Sequence, residues 1–469
     1  MNNIVSTLNA EQIAGYNVLH SGVNTFITGG AGVGKSYLIN KYIVDMKENH
    51  KNVLVCAPTG VAAGNVCGIT LHRAFEIPTG VILQKDIRNI DKYNKKIDEM
   101  LYEVDVFIID EISMCRLDTF EYVAVTLLKA NRRRKMSGRK PIQFIVVGDF
   151  YQLMPVVTRY DMSILTRDYG EENRTGLAFK SKYWSMFAFR TVFLNEVMRQ
   201  NNKEFIDDLN RLRLGDAGKI LDIYNKSNKN KTDGITICGL NSDVKAINDR
   251  ELAKINSKLI YFLAEYSGDA TELDVSADNI LYLKIGARVV TLVNDADGRY
   301  YNGSIGTVTE MYRDAIGVCF DGINTVYIKQ FDWDIYDYVL DEANGTISRE
   351  VCGSVKQFPL KLAYAITMHK SQGQTYECAN ISPYCWESGQ LYVAISRVKN
   401  FDGLHFNYEP KGQDVITSSS VRDFYRNLRE QQKTCNNRDE LAYNNNIIKP
   451  SNQAFDDLRK AMSLFNKGV

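Results

Sequence analysis

The 469-residue sequence predicts an α/β protein built on two parallel sheets with helices packed on their faces. Three observations carry that expectation. Short apolar runs end in turns rich in Gly, Thr or Asp and lead directly into helix-like stretches. The same rhythm restarts after residue 190. Two segments break the rhythm, each in a different way, and read as insertions. The length is that of about three compact units.

In the first half, NTFITGG (24–30) reads as a strand leading through GGAGVGKS into the helical YLINKYIVDMKEN. VLVCAPTG (53–60), VDVFIIDE (104–111) and IQFIVVGD (142–149) read as further strands. In the second half, TVFLNEVMRQ (191–200), GITICGLNSD (234–243) and LKLAYAITMHKSQG (360–373) read as strand ends, and QLYVAISR (390–397) as a helix entering a turn. Residues 73–103 are polar and helix-leaning. Residues 305–358 hold short alternating runs, IGTVTEM, AIGVCF and TVYIKQF, separated by Gly, Asn and Asp, the pattern of a small antiparallel barrel. The expected domains are therefore 1–72 with 104–193, an insert at 73–103, a second α/β domain at 194–304 with 359–410, the barrel at 305–358, and a tail at 411–469. Within the tail VRDFYRNLREQQ is helix-like, and 430–453 is expected to be weakly ordered.

Composition narrows the function classes. Forty-five per cent hydrophobic and 24% charged residues suit a globular protein, and no apolar run reaches the ~18 residues of a membrane span. MNNIVSTLNAEQ carries no basic-then-apolar signal segment and no Arg-rich transit pattern, so an intracellular location is expected. Nine cysteines without a CxxC pair and five dispersed histidines point to reduced thiols, several in core-like surroundings, and away from zinc. A net charge of +1 means that any nucleic-acid partner is met by a local groove.

Residues 29–36, GGAGVGKS, form a phosphate-binding pattern between a strand and a helix. Gly29, Gly30, Ala31, Gly32, Val33 and Gly34 let backbone N–H groups turn inward at the positive end of the helix. Lys35 would neutralise the β and γ phosphates, and Ser36 would ligate Mg²⁺. The apolar strand VDVFIID delivers Asp110 for the metal's water shell, with Glu111 beside it to polarise an attacking water. This pairing predicts hydrolysis of a nucleoside triphosphate beyond mere binding. Gln152, in GDFYQLMPV after the fourth strand, is placed to sense a γ-phosphate.

LNAEQ (8–12), GGAGVGKS, APTGVAA (57–63), TLHRAF (70–75), IIDEISM (108–114), GDFYQLMPV (148–156), LNEVMRQ (194–200), TMHKSQGQT (367–375) and LYVAISR (391–397) occur in the order of a superfamily-one helicase. The chain resembles the petite-integration-frequency family of class B, 5′-to-3′ DNA helicases, related to RecD and Dda. DEISMCRLDTFEYV, and GARVVTLVND followed by YYNGSIGTV, resemble stretches particular to that family, and the likeness runs from about residue 8 to 410. Met154 and Met198 depart from it, standing where the family usually has proline and phenylalanine.

The resemblance implies two RecA-like domains, a wedge at 73–103, and ATP in the cleft between the domains. It implies that Gln12 reads the adenine edge and that Gly373 lines the ATP site. It implies that Arg199 and Arg397 reach the γ-phosphate from the second domain. Partners implied are single-stranded DNA and forked duplex DNA, engaged by a monomer, with roles in replication, repair or recombination. Pro58, Thr59, Gly60 and His72 on the first domain, and Thr367, His369, Lys370 and Ser371 on the second, are the candidate DNA contacts. Hydroxyls, backbone N–H groups and a lysine suit phosphate contacts without sequence preference. RNA as the track, and an ATP-gated binding subunit that separates no strands, stay open at this point. So does the basic run NRRRKMSGRK (131–140), which fits a solvated loop as well as a nucleic-acid contact. FDWDIYDY (331–338) reads as a domain contact, because Asp332, Asp334 and Asp337 would repel phosphate.

Overall fold

The computed structural model describes residues 7–89, 95–200, 202–272, 274–320, 322 and 324–445, the stretch 434–445 by its backbone alone. Two compact units divide at Ser418. In the first, six strands form one parallel sheet: β1 (Thr25–Gly29), β2 (Val53–Ala57), β3 (Ile69–Thr70), β4 (Val106–Ile109), β5 (Gln143–Val147) and β6 (Arg190–Leu194), ordered β3-β2-β4-β5-β1-β6. β1, β2, β4 and β5 are buried along their whole length, as a sheet covered on both faces demands.

TVFLNEVMRQ, read with the rhythm of the second half although the expected boundary falls at 193/194, forms β6 through Leu194 and completes this first sheet. β6 pairs with β1 from Thr25↔Arg190 to Gly29↔Leu194, and Val192 and Leu194 join the core beneath β1. Alternating burial of one face against the neighbouring strand fixed its place, which chain rhythm alone left open. The second parallel sheet has four strands, Ala365–Thr367, Ile235–Cys238, Ala379–Ile381 and Leu404–Phe406, in that order. Its core, including Phe205, Leu212, Ile237, Val393 and Ile395, also takes in Ala31 and Leu153 from the first sheet's loops. The cysteines at 56, 115, 238 and 385 are buried.

The helix-leaning insert begins at the end of the helix Leu71–Ala74 and forms the helices Gln84–Arg88 and Lys95–Glu103; its residues 90–94 lie outside the described residues. The antiparallel strands expected at 305–358 are present but recruit strands from both sides. Thr325–Lys329, Ala315–Cys319, Ile305–Met311, Arg288–Thr291 and Leu360–Leu362 form one sheet, in that order. Phe331–Asp341 and Thr346–Gln357 form a long ribbon that pairs with Glu265–Gly268. Among the described residues these pairings leave the five-stranded sheet open, and closure into a barrel is not seen. The ribbon reaches the first sheet, where the Val55 N–H donates to Tyr338 Oη at 3.2 Å and Asn52 bonds the Gly345 carbonyl and the Ile347 N–H at 2.8 and 3.0 Å. FDWDIYDY is thus a contact between parts of the fold.

In the second unit, Ser419–Asn445 is a helix. It contains VRDFYRNLREQQ as expected, and it continues through 430–445, where weak order was expected. Arg, Gln and Glu favour helix despite their polarity, which composition read as disorder hides. Residues 446–453 lie outside the described residues.

Candidate active site

The segment 29–36 joins β1 to the helix Lys35–Glu48. Gly34 caps that helix in the left-handed region (φ 79°, ψ 26°), and a Cβ there would strike Gln12 Nε2. At Gly32 (φ 77°) a Cβ would lie 2.6 Å from Arg199 Cβ. Only glycine satisfies both positions. Gln12 is buried and locked by a capping box, donating its N–H to Asn9 Oδ1 (2.8 Å) while its Oε1 accepts from the Asn9 N–H (3.1 Å). Lys35 Nζ donates to the carbonyls of Gly29 and Gly30 at 2.9 and 3.0 Å. Burial pushes the Lys35 pKa down, against the pull of Asp149, Glu111 and Asp110.

β4 ends in the two acids. Ser36 Oγ donates to Asp110 Oδ2 at 3.4 Å, and the Glu111 N–H donates to Asp110 Oδ1 at 2.9 Å. Burial, then the charge of Glu111, pushes Asp110 up to about 7. A buried carboxylate beside a hydroxyl, short of positive charge, fits a hydrated divalent cation. Glu111 takes left-handed backbone angles (φ 50°, ψ 46°), unusual for a residue with a Cβ. Its Oε2 accepts from Gln372 Nε2 at 3.0 Å.

The rest of the wall comes from the far half of the chain. Arg397 is 1% exposed, and its guanidinium donates to the carbonyl of Val393 (2.8 Å) and to Ser396 Oγ (2.8 Å). Burial, then the like charge of Arg199, pushes its pKa down to about 9. A buried guanidinium beside a second, half-buried one creates a demand for an anion. Arg199 does not enter from the second domain as expected. It follows β6, anchored where the Met198 N–H donates to the Gly32 carbonyl (2.8 Å), and reaches across to the Ser396 carbonyl (3.3 Å). Lys35, Ser36, Asp110, Gln152, Arg199 and Arg397 share one cavity of about 580 Å³, and Gly32, Gly34, Glu111 and Gly373 also line it.

Four residues of this site escaped sequence reasoning. Tyr392 Oη accepts the Ala31 N–H at 2.8 Å, tying the phosphate loop to the helix Gln390–Ile395 that precedes Arg397. Asp149, which accepts from Gln152 Nε2 (3.3 Å), is held by Arg213. Gln372 positions Glu111. Three of them lie inside motifs already quoted, GDFYQ, KSQGQ and LYVAISR. Arg213 carried no signal beyond closing an amphipathic helix. Of the two departures, Met154 is buried and Met198 is exposed, its Sδ 3.9 Å from Asn9 Nδ2.

A family model described as PIF1-like helicase matches residues 7–224. The ATP-dependent DNA helicase Pif1 of Campylobacter jejuni is 32% identical over 80% of this chain and 87% of that protein. The Bdellovibrio bacteriovorus protein of the same name is 31% identical over 89% of this chain and 92% of its own. This chain belongs to the PIF1-like helicase family. Among solved structures, Bacteroides sp Pif1 in complex with ADP-AlF4 matches at TM-score 0.77 and 32% identity, over 90% of this chain and 97% of that one. Bacteroides Pif1 bound to ssDNA matches at TM-score 0.63 and 31% identity, over 91% and 98%.

The residues through which a PIF1-like helicase was expected to hold DNA are less united. Pro58 and His72 line one cavity of about 160 Å³ beside Arg116. Gly60 faces another, of about 380 Å³, walled by Trp333 and Tyr336 of the ribbon. Thr367 and Lys370 line a third, of about 390 Å³, with Lys245 and Lys361. Thr59 and Thr367 each cap a short helix, accepting the N–H of Ala62 (3.3 Å) and Lys370 (3.2 Å). Ser371 is fully buried and donates to the Met368 carbonyl at 2.7 Å, so its hydroxyl faces inward. His369 stacks on Trp386, with its Nε2 3.7 Å from Glu387 Oε2. Lys370 is exposed. In the basic run, Arg133, Arg134 and Arg139 are engaged by Asp98, the Tyr102 carbonyl and Glu103, which favours the structural reading for those three.

Proposed function

We propose that this chain moves 5′ to 3′ along single-stranded DNA as a monomer inside the cell, and unwinds forked duplex by hydrolysing ATP in the 580 Å³ cavity. Membership of the family makes it an ATP-dependent DNA helicase; direction, track and residue roles are our reading. One observation carries it: Lys35 and Arg397, some 360 residues apart, line one cavity, Lys35 half-buried and Arg397 fully buried, and neither has a carboxylate bonded to it. No described helix is long and apolar enough to cross a membrane.

The chain's own groups divide the work. Lys35 and the N–H groups of the phosphate loop bind the β and γ phosphates. Arg199 and Arg397 stabilise charge that spreads over the γ-phosphate oxygens, an effect worth about 10³- to 10⁵-fold for arginines in this role. Ser36 and Asp110 would hold magnesium, which neutralises phosphate charge when bound. Glu111 orients and deprotonates the attacking water, its carboxylate held by Gln372. Because that glutamine and both arginine contacts join the two halves, the site is complete only when they meet. Reopening after product release then becomes a step along the strand. Duplexes with a single-stranded overhang on the 5′ or the 3′ side test this. Displacement from the 5′ overhang alone is expected. Displacement from the 3′ overhang alone refutes the direction, and single-strand-stimulated turnover without displacement refutes unwinding.

A further inference from the structure

Asp149 is a carboxylate that the hydrolysis scheme leaves without a task. It follows β5, is fully buried, and its charge acts on Lys35 more strongly than that of Glu111 or Asp110. It also fixes the Gln152 segment, accepting the Tyr151 N–H at 3.2 Å and Gln152 Nε2 at 3.3 Å. A carboxylate so placed is a natural counter-ion for Lys35. Yet the lysine's ammonium is held by the Gly29 and Gly30 carbonyls, and Asp149 is claimed by another cation.

That cation is Arg213. Its Nε donates to Asp149 Oδ2 at 2.9 Å and its Nη2 to Oδ1 at 2.7 Å, while the guanidinium lies 4.7 Å from the centre of the Tyr151 ring. Arg213 is the last residue of the helix Lys203–Arg213, whose Phe205, Leu209 and Leu212 belong to the core of the second sheet. Asp149 therefore receives its partner from the opposite half of the molecule. A buried carboxylate cannot be left uncompensated without a large penalty. If the halves part and Arg213 withdraws, Lys35 is a second cation whose charge already acts on Asp149.

We propose that Arg213 is a positioning residue that occupies Asp149 and so keeps it from capturing Lys35, arming the phosphate loop only when the second sheet is docked. The planar fork of arginine fills both carboxylate oxygens at once, which a lysine cannot do. Closure thereby does two things: it brings Arg397 to the cavity, and it releases the loop lysine toward phosphate. When the halves separate, Lys35 and Asp149 pair, and affinity for the spent nucleotide falls. The inference rests on Lys35 being the phosphate-binding ammonium.

The test is a double-mutant cycle on the full chain, read in single-strand-stimulated ATP turnover and in the Kd for a fluorescent ADP, with thermal melts to confirm folding. Arg213→Ala is expected to lower kcat/KM for ATP at least ~10-fold, with KM raised, because it leaves the buried carboxylate free to hold Lys35. Asp149→Asn in the same background is expected to restore nucleotide affinity several-fold, since an amide does not hold an ammonium. A purely structural role for the pair predicts no such rescue. An Arg213→Ala effect on the ADP Kd that is equal in the native and Asp149→Asn backgrounds overturns the proposal. Should Arg213→Ala not fold, Arg213→Gln takes its place under the same criterion. Lys35→Ala separates the two levels: retained turnover sinks the phosphate-loop reading itself, whereas lost turnover without rescue in the cycle sinks only the role of Arg213.

Discussion

At the nucleotide cavity and among the candidate DNA contacts, motif residues meet opposite fates. Around the cavity, side chains from six separate stretches of sequence converge, and their charged ends remain available to a phosphate. Among the candidate DNA contacts, Pro58, His72, Gly60, Thr367 and Lys370 face three separate cavities, and Ser371 has spent its hydroxyl on its own helix. The difference lies in how far the side chains converge. Lys35, Asp110 and Gln152 follow strands buried on both faces, and Arg397 follows a short helix of the second half, yet all four line one cavity. Of the DNA candidates, Pro58, Thr59 and Gly60 follow β2 and Thr367 ends a strand, while Ser371 is buried on a short helix and Lys370 is exposed. The ribbon bonded to Asn52 and Val55 lies over part of that region. The cavity lined by Lys35 and Arg397 is assembled in the fold, whereas the candidate DNA residues are spread over separate cavities.

The sharpest way to break this contrast is Arg397→Ala. Turnover measured by phosphate release is expected to drop ~10³-fold or more, with single-strand affinity in the absence of nucleotide unchanged. A drop below ~10-fold would mean that the cavity is not assembled as described. Tyr392→Phe should act more mildly. It strips the partner from the buried Ala31 N–H, a loss of about 1–3 kcal/mol in stability, so the melting temperature is expected to fall and kcat to drop by less than for Arg397→Ala as the phosphate loop loses its tie. Lys370→Ala probes the other region with the smallest effect. Single-strand binding should weaken evenly across sequences, and the slope of log affinity against log salt should flatten by about one. An unchanged slope would remove Lys370 from the DNA path.

Much of this was legible in the chain itself. Apolar runs ending in GGAGVGKS, in Asp110 and Glu111, and in GDFYQ located the first sheet's active edge, because a buried parallel strand has one polar exit. Pairing order was less legible. TVFLNEVMRQ has the same rhythm as the strands that follow it, and only contact with β1 put it in the first sheet and moved the origin of Arg199 with it. Arg213 was invisible for a related reason: its significance lies in a carboxylate 64 residues earlier in the chain, and no local spacing encodes such a pair. The hydroxyls misled in a different manner. Thr59, Thr367 and Ser371 suit phosphate by their chemistry, but the same donors and acceptors serve helix ends, and the nearest backbone group competes first.

The left-handed backbone of Glu111 bears on evolution and engineering as much as on chemistry. A side chain at those angles costs about 1–2 kcal/mol, and desolvation pushes the pKa of the carboxylate it carries up as well, so the residue weakens the protein at the point where it works. Selection for thermal endurance alone would discard it. A Glu111→Gly chain is expected to melt at or above the native temperature while hydrolysing no ATP, and a clear loss in melting temperature would show that the strain is offset by the bond to Gln372.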